Sequence, residues 1–412
     1  MSNKDILLDI IGDADPELLP EISLQKRKKH LIAKWTVFGA GICAAAVIVC
    51  AVFIPGNGNR PADISPYSGL AQISRDKKSG TEKITSSFEV GAMGFEGLMA
   101  YDISELDMSN PWSEDCGITE LPVFKNLAYI GRDAGWSELY LTEEQMMQIA
   151  ENTALSLDTD IARTEIEHLG DHNSGLPDTY LDMCIWVRAE CSDLTKVTVY
   201  GDGEIDIDFS NKKLPEEYSF TYHNTAADEA ENVLEYLSNE YSEVLAFDEP
   251  VWYSYAERSY SGNEIRSYYV YDKSGDTVQD ILNYNFAYAE FCPDEGGGLS
   301  IIRLNNDLCS AEYLGEYPII SAEDARIQLL NGSSYTTVPS EYLKGGSVAE
   351  EDIKKCELVY RSYHAEYYQP FYKFYIELDT SIESGSSDGL KNYGIFYVPA
   401  VGAEFRVDVG FN

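Results

Sequence analysis

Histidines, cysteines and closely spaced carboxylates offer chemistry at four places in this sequence. Residues 167–173 read EHLGDHN, so His168 and His172 stand four apart with Asp171 between them. On one turn of helix both imidazoles would reach the same metal ion. Gly170 breaks such a turn and GDHNSG has the composition of a loop, so no metal is expected there; the zinc-protease pattern HExxH is absent. In GDGEIDIDF, Glu204, Asp206 and Asp208 fall on one side of a strand and Ile205, Ile207 and Phe209 on the other. Such a row holds calcium only with further oxygen ligands, and the EF-hand order is missing, so a half-solvated hairpin strand accounts for it. The acidic stretch CPDEGGG at 292–298 reads as a turn. Cys356 and His364 would supply a thiol–imidazole pair. Cys356 opens an expected strand, however, where a small buried hydrophobe is the simpler role. A GxSxG elbow, a phosphate loop and a dinucleotide fingerprint are all absent. The expectation is therefore a protein that is not an enzyme and uses no cofactor.

Tyrosine is abundant, at 30 residues. Tyr363, Tyr367, Tyr368, Tyr372 and Tyr375 lie close together, and exposed rings there would bind glycan or peptide. Strand alternation buries about half of such a set, which makes core filling the expected role. Acidic residues number 70 against 30 basic ones, a formal charge of −40. That balance excludes nucleic acid as a partner of the whole chain and favours cations or basic surfaces.

The elements that would hold these residues begin with a membrane anchor. Residues 35–54 read WTVFGAGICAAAVIVCAVFI, without a charge. At ~1.5 Å per residue they span ~30 Å, the thickness of a bilayer's hydrocarbon core. Lys26, Arg27, Lys28, Lys29 and Lys34 precede the run, and the first basic residue after it is Arg60. The positive-inside rule then places 1–34 in the cytoplasm and the C-terminal part outside. A cleaved signal peptide fits less well, because its apolar core is normally ~7–15 residues and no small-x-small site follows Ile54. Ile42 and Val49 stand where lipidation of Cys43 or Cys50 needs a small residue. The lipid bilayer is thus one expected partner.

In the tail, Ile6, Leu7, Ile10 and Ile11 share one face of a short helix that Gly12 ends. A second short helix starts at Pro16 and is cut by Pro20. Neither can form a core alone, so this apolar face is expected to dock on a cytoplasmic regulatory protein. Residues 55–85 read as a linker, and the outer part divides into domains 86–320 and 321–412. Three helices are expected, opening at Thr142, Thr225 and Ser321, each followed three residues later by an acid or amide. Alternating runs at 181–190, 196–209, 267–272, 299–304, 357–363, 370–378, 393–398 and 404–411 are expected strands. The order fits an α+β fold, with antiparallel sheets and helices packed on one face. Cys184 and Cys191 differ by an odd number and cannot pair along one strand.

The tail ILLDIIGDADPELL, followed by a basic stop and a single span, resembles the starts of uncharacterised Gram-positive, clostridial membrane proteins, anti-sigma-factor-like ones among them. The segments LPEEYSFTY, ILNYNFAYAEF, YPIISAEDARIQLLNG and QPFYKFYIEL resemble the extracellular domain of such proteins. In architecture the chain is similar to the YycH/YycI regulators. That resemblance implies a single-pass membrane protein that senses or regulates at the cell envelope by protein–protein contact. A surface-anchored module binding wall glycan or peptide is the alternative expectation.

Overall fold

Alternation of period two dominates the sequence from residue 84 onward, and strands follow it. The computed structural model describes residues 76–88, 96–127, 129, 141–171, 184–362, 365–379 and 387–411. The tail with Ile6, Leu7, Ile10 and Ile11, the apolar run 35–54 and most of the linker lie outside the described residues. Among the described residues no helix is long and apolar enough to cross a membrane.

In chain order the strands are β1 (Ile84–Phe88), β2 (Gly97–Ala100), β3 (Glu120–Asn126), β4 (Ile161–His168), β5 (Cys184–Cys191), β6 (Lys196–Tyr200), β7 (Ile205–Lys212), β8 (Pro250–Arg258) and β9 (Glu264–Asp272). After them come β10 (Tyr288–Pro293), β11 (Leu299–Leu304), β12 (Ala311–Pro318), β13 (Ile353–Tyr360), β14 (Tyr367–Tyr368), β15 (Pro370–Glu377), β16 (Lys391–Pro399) and β17 (Arg406–Phe411). Among the described residues five α-helices intervene: α1 (Glu143–Ser156), α2 (Ala227–Glu240), α3 (Ser242–Leu245), α4 (Thr277–Phe286) and α5 (Ala322–Leu330). The fold is α+β, as expected.

One antiparallel sheet of eight strands runs β4-β5-β6-β7-β11-β10-β9-β8. Met146, Ile149 and Ala150 of α1 and Val233, Leu234 and Leu237 of α2 cover one of its faces, against Val187, Val199, Ile207, Tyr268 and Ile302. Removing this apolar surface from water, at ~25 cal/mol per Å², is the main force holding the layer together. Antiparallel sheets β13-β15-β16-β2 and β12-β3-β14 make a second body with α4 and α5. The short pair β1-β17 is parallel.

Sheet membership cuts across the boundary expected at 320. Strands β2 and β3 precede the eight-stranded sheet in sequence, yet they pair with β16 and with β12 and β14. The described residues all belong to one unit, Asn57–Asn412. Apolar alternation marks a strand but not its partner, so the sequential division missed this closure.

Two of the three expected helix starts hold. Thr142 Oγ1 accepts from Gln145 N at 3.3 Å and Gln145 Oε1 accepts from Thr142 N at 2.9 Å. Ser321 Oγ accepts from Asp324 N at 3.1 Å. The third shifts by one residue. Thr225 is buried and serves the preceding turn, accepting from Thr221 N and donating to Thr221 O. Glu229 instead reaches back to Ala226 N, and the helix begins at Ala227.

Candidate functional site

The runs PVWYSYAER and EIRSYYVYD form a hairpin, β8 and β9, whose connection uses a positive φ of 80° at Gly262. Alternation sends Tyr268 and Val270 beneath the helices and Tyr269 and Tyr271 to the opposite face. Register then lines up one residue from each of the eight strands across that opposite face, whose β8–β9 end packs against α4 and residues 103–109. In order they are Glu165, Arg188, Thr198, Asp206, Arg303, Glu290, Tyr269 and Tyr253.

The row has an aromatic half. The Tyr253 and Tyr269 rings stack with centroids 5.2 Å apart and planes 20° apart; Tyr255 lies 6.1 Å from Tyr269 at 4°. Tyr288 meets Tyr269 edge-on at 5.7 Å. These four rings are half-buried. Tyr284 of α4 and Tyr271 are buried and close one end, and the Tyr271 hydroxyl donates to Ser109 O at 3.5 Å.

The other half is charged. Arg303 Nε donates to Asp206 Oδ1 at 3.1 Å and lies 3.1 Å from Glu204 Oε1, while Nη1 donates to Glu290 Oε2 at 2.9 Å. The Tyr269 hydroxyl donates to Glu290 Oε1 at 3.4 Å and joins the two halves. Arg188 Nε donates to Thr198 Oγ1 at 3.0 Å, with its guanidinium 4.5 Å from the Trp186 ring. One guanidinium thus faces three carboxylates, so the patch keeps a local negative excess. Burial pushes Glu204 up to about 7, the Asp206 charge adds to this, and Arg303 opposes it; Asp202 and Asp307 also face the group and raise it.

That shift has a consequence for stability. A carboxyl held above its unfolded value binds more protons in the folded state, so it loses stability as pH rises through the interval from ~4.5 to ~7. Asp307, also raised by burial to about 6, acts in the same direction, so the contribution of Glu204 needs a paired comparison. The unfolding midpoint of the wild type is expected to fall relative to that of Glu204→Gln as pH is raised from ~5 to ~8. Parallel pH profiles for the two proteins would contradict this.

Such a surface offers the outer edges of mutually stacked tyrosines, phenol hydroxyls and carboxylate acceptors, under a negative field. It suits polyhydroxylated or amine-bearing groups and repels anions.

The other sequence candidates scatter. His172 and His364 lie outside the described residues, as does Tyr363. His168 ends β4, with Nε2 3.2 Å from Glu143 Oε2. Glu204 and Asp206 do share one side of β7's hairpin, as expected, and are engaged by Arg303. Asp294 makes 292–298 a turn by accepting from Gly296 N at 2.6 Å and Gly298 N at 2.9 Å. Burial pushes the Cys356 thiol above its usual range, which removes thiolate character. Tyr368, Tyr372 and Tyr375 are buried and Tyr367 half-buried, so this cluster fills the core and presents no binding surface. All six cysteines from Cys116 to Cys356 are free thiols, and Cys184 and Cys191 sit at the two ends of one strand.

Sequence reading missed Arg303 and the tyrosines of β8. The usable signal was the SGN turn between PVWYSYAER and EIRSYYVYD, flanked by aromatics at period two.

No family model and no curated protein matches this chain. Among solved structures, an uncharacterised protein from Eubacterium rectale resembles it with a TM-score of 0.32 at 10% identity, over 69% of this chain and 84% of that one. A likeness so distant says nothing about fold or function.

Proposed function

We propose that the chain is a single-pass membrane-anchored sensor of the cell envelope, whose outer domain binds neutral or amine-bearing wall glycan. The observation that carries this reading is the set of near-parallel, half-buried rings Tyr253, Tyr255 and Tyr269 beside Glu290. Sugar rings stack on tyrosine, and their hydroxyls or ammonium groups meet carboxylate acceptors. The formal charge of −40 disfavours acidic polymers as ligands. The uncharged run 35–54 supplies the anchor, and its basic flank keeps residues 1–34 inside. Ile6, Leu7, Ile10 and Ile11 dock a cytoplasmic regulatory protein there, in keeping with the tail's resemblance to anti-sigma-factor-like proteins. The protein acts by contact and not by catalysis.

Full-length protein in detergent micelles should co-sediment with purified insoluble cell wall. Replacing Tyr255 and Tyr269 together by alanine removes two stacks of about 1 kcal/mol each, equivalent to about 30-fold in affinity. Circular dichroism would verify that the variant is folded. Retention equal to wild type would refute the glycan face. Retention abolished by stripping stem peptides would assign the ligand to peptide instead. Protease applied to intact cells should remove the outer domain, and its survival would refute the topology.

A further inference from the structure

We infer that Glu143, His168 and Cys184 form a binding site for one zinc-class divalent ion. The three residues come from three elements. Glu143 is the first residue of α1, His168 the last of β4 and Cys184 the first of β5. One donor atom from each lies within 4.8 Å of the other two. In a tetrahedral zinc site, bonds of about 2.0–2.3 Å set donor–donor edges of about 3.3–3.8 Å. His168 Nε2 and Glu143 Oε2, at 3.2 Å, already stand near that edge. The Cys184 sulfur, within 4.8 Å of both, needs at most about an ångström of movement, within reach of a side-chain torsion.

The backbone is arranged for this meeting. Between β4 and β5 the register runs Glu167 opposite Trp186 and then jumps, so that His168 faces Cys184. Ile185 is the extra residue of this bulge. Burial along β5 records the same switch, since Val187, Ala189 and Cys191 alternate inward while Cys184, three residues before Val187, is also buried. A β-bulge of this kind turns a side chain onto a face it would otherwise miss. On the third side, the reciprocal Thr142–Gln145 cap fixes where α1 begins and hence where Glu143 stands. An ion pair between Glu143 and His168 alone would need neither the bulge nor the sulfur.

The donor set selects the ion. Oxygen, imidazole nitrogen and sulfur together suit zinc or cobalt, whereas calcium and magnesium take oxygen ligands in greater number. The roughly +0.5 charge at the start of α1 opposes a cation, and the carboxylate and thiolate offset it. Three protein ligands leave one coordination position for water or an incoming ligand.

Cobalt(II) titration of the full-length protein in detergent micelles, with calcium in excess to occupy the acidic surface, tests the site. One equivalent of cobalt should bind, giving a thiolate-to-cobalt charge-transfer band in the near ultraviolet, and one equivalent of zinc should displace it. Cys184→Ser should abolish the band, and His168→Ala should weaken binding by ~10-fold or more. Cys191→Ser, on the same strand and outside the cluster, should leave both unchanged. If Cys184→Ser fails to fold, Glu143→Gln at the exposed rim should still lower cobalt affinity by ~10-fold. Absence of the band, its persistence in Cys184→Ser, or unaltered affinity in Glu143→Gln would overturn the assignment.

Discussion

Replacing Glu357 with alanine is expected to lower folding stability by about 3–5 kcal/mol, because it leaves buried positive charge without its counter-ion. Glu357 is 2% exposed. Its Oε2 accepts from the Tyr375 hydroxyl at 2.8 Å and lies 4.0 Å from Lys373 Nζ. Lys355 Nζ lies 2.7 Å from Oε1, as an ion pair though not aligned as a hydrogen bond. Lys373 is opposite Glu357 in the β13–β15 register and opposite Tyr397 in the β15–β16 register. Burial pulls the Lys373 ammonium below its ordinary value, and the Glu357 carboxylate pulls it back. Without that carboxylate the cation must either lose its proton or open the sheet to water. Glu357→Gln retains an acceptor for Tyr375 but no charge, and should fall between wild type and alanine. Replacing the cross-strand pair together, as Glu357→Leu with Lys373→Met, should recover part of the loss, since it removes the uncompensated Lys373 charge but leaves the buried Tyr375 hydroxyl without its acceptor. Urea unfolding of the four proteins measures this series. An alanine variant within about 1 kcal/mol of wild type would mean that the lysines reach solvent unaided.

Gly315→Ala should be comparably damaging, through the backbone and not through charge. Gly315 sits where the pairing of β12 with β3 shifts register, and it adopts φ +141°. A Cβ there would lie 2.6 Å from Gly80 N and 2.8 Å from both Gly80 Cα and Lys78 O. Those atoms cannot retreat, because Gly80 N donates to Glu316 O at 2.8 Å and Glu316 N donates to Lys78 O at 2.7 Å. Gly80 in turn packs against the buried ring of Tyr317, where a Cβ of its own would overlap the ring. Backbone strain of about 1–3 kcal/mol and overpacking of about 1–3 kcal/mol together give a loss of about 2–6 kcal/mol. Gly275→Ala is the control. Its φ is +78° with open space around it, so only about 1 kcal/mol of conformational cost should appear. Equal losses at the two positions would show that the crossing of 78–80 over β12 is not the cause.

The caps and hairpins could be read from the sequence because their signals are local. Thr142 with Gln145, Ser321 with Asp324 and the GDG turn all work as their spacing suggests. Helix α4 was not among the expected helices, although Asp276 caps it by accepting from Gln279 N. Ile281, Leu282, Asn283, Tyr284 and Phe286 are all buried, as is Asp280, so polar residues stand among the apolar ones on its covered side. Strand β8 went unread for a related reason: its tyrosines suit either face, and the alternation carries no polarity. The candidate face was hidden at a further level. Its eight aligned residues come from strands whose spatial order departs from chain order after β7, and only cross-strand register brings Arg303 between Asp206 and Glu290.

The pairing of β2 with β16 and of β1 with β17 has a consequence for biogenesis. Ala100 must wait for Lys391, and Ile84 for Arg406, before their backbone groups find partners. A ribosome releases the first of each pair long before the second, so the nascent domain spends most of its synthesis with open strand edges at its leading end. Loss of β16 and β17 would therefore leave β2 and β1 without the strands that pair with them.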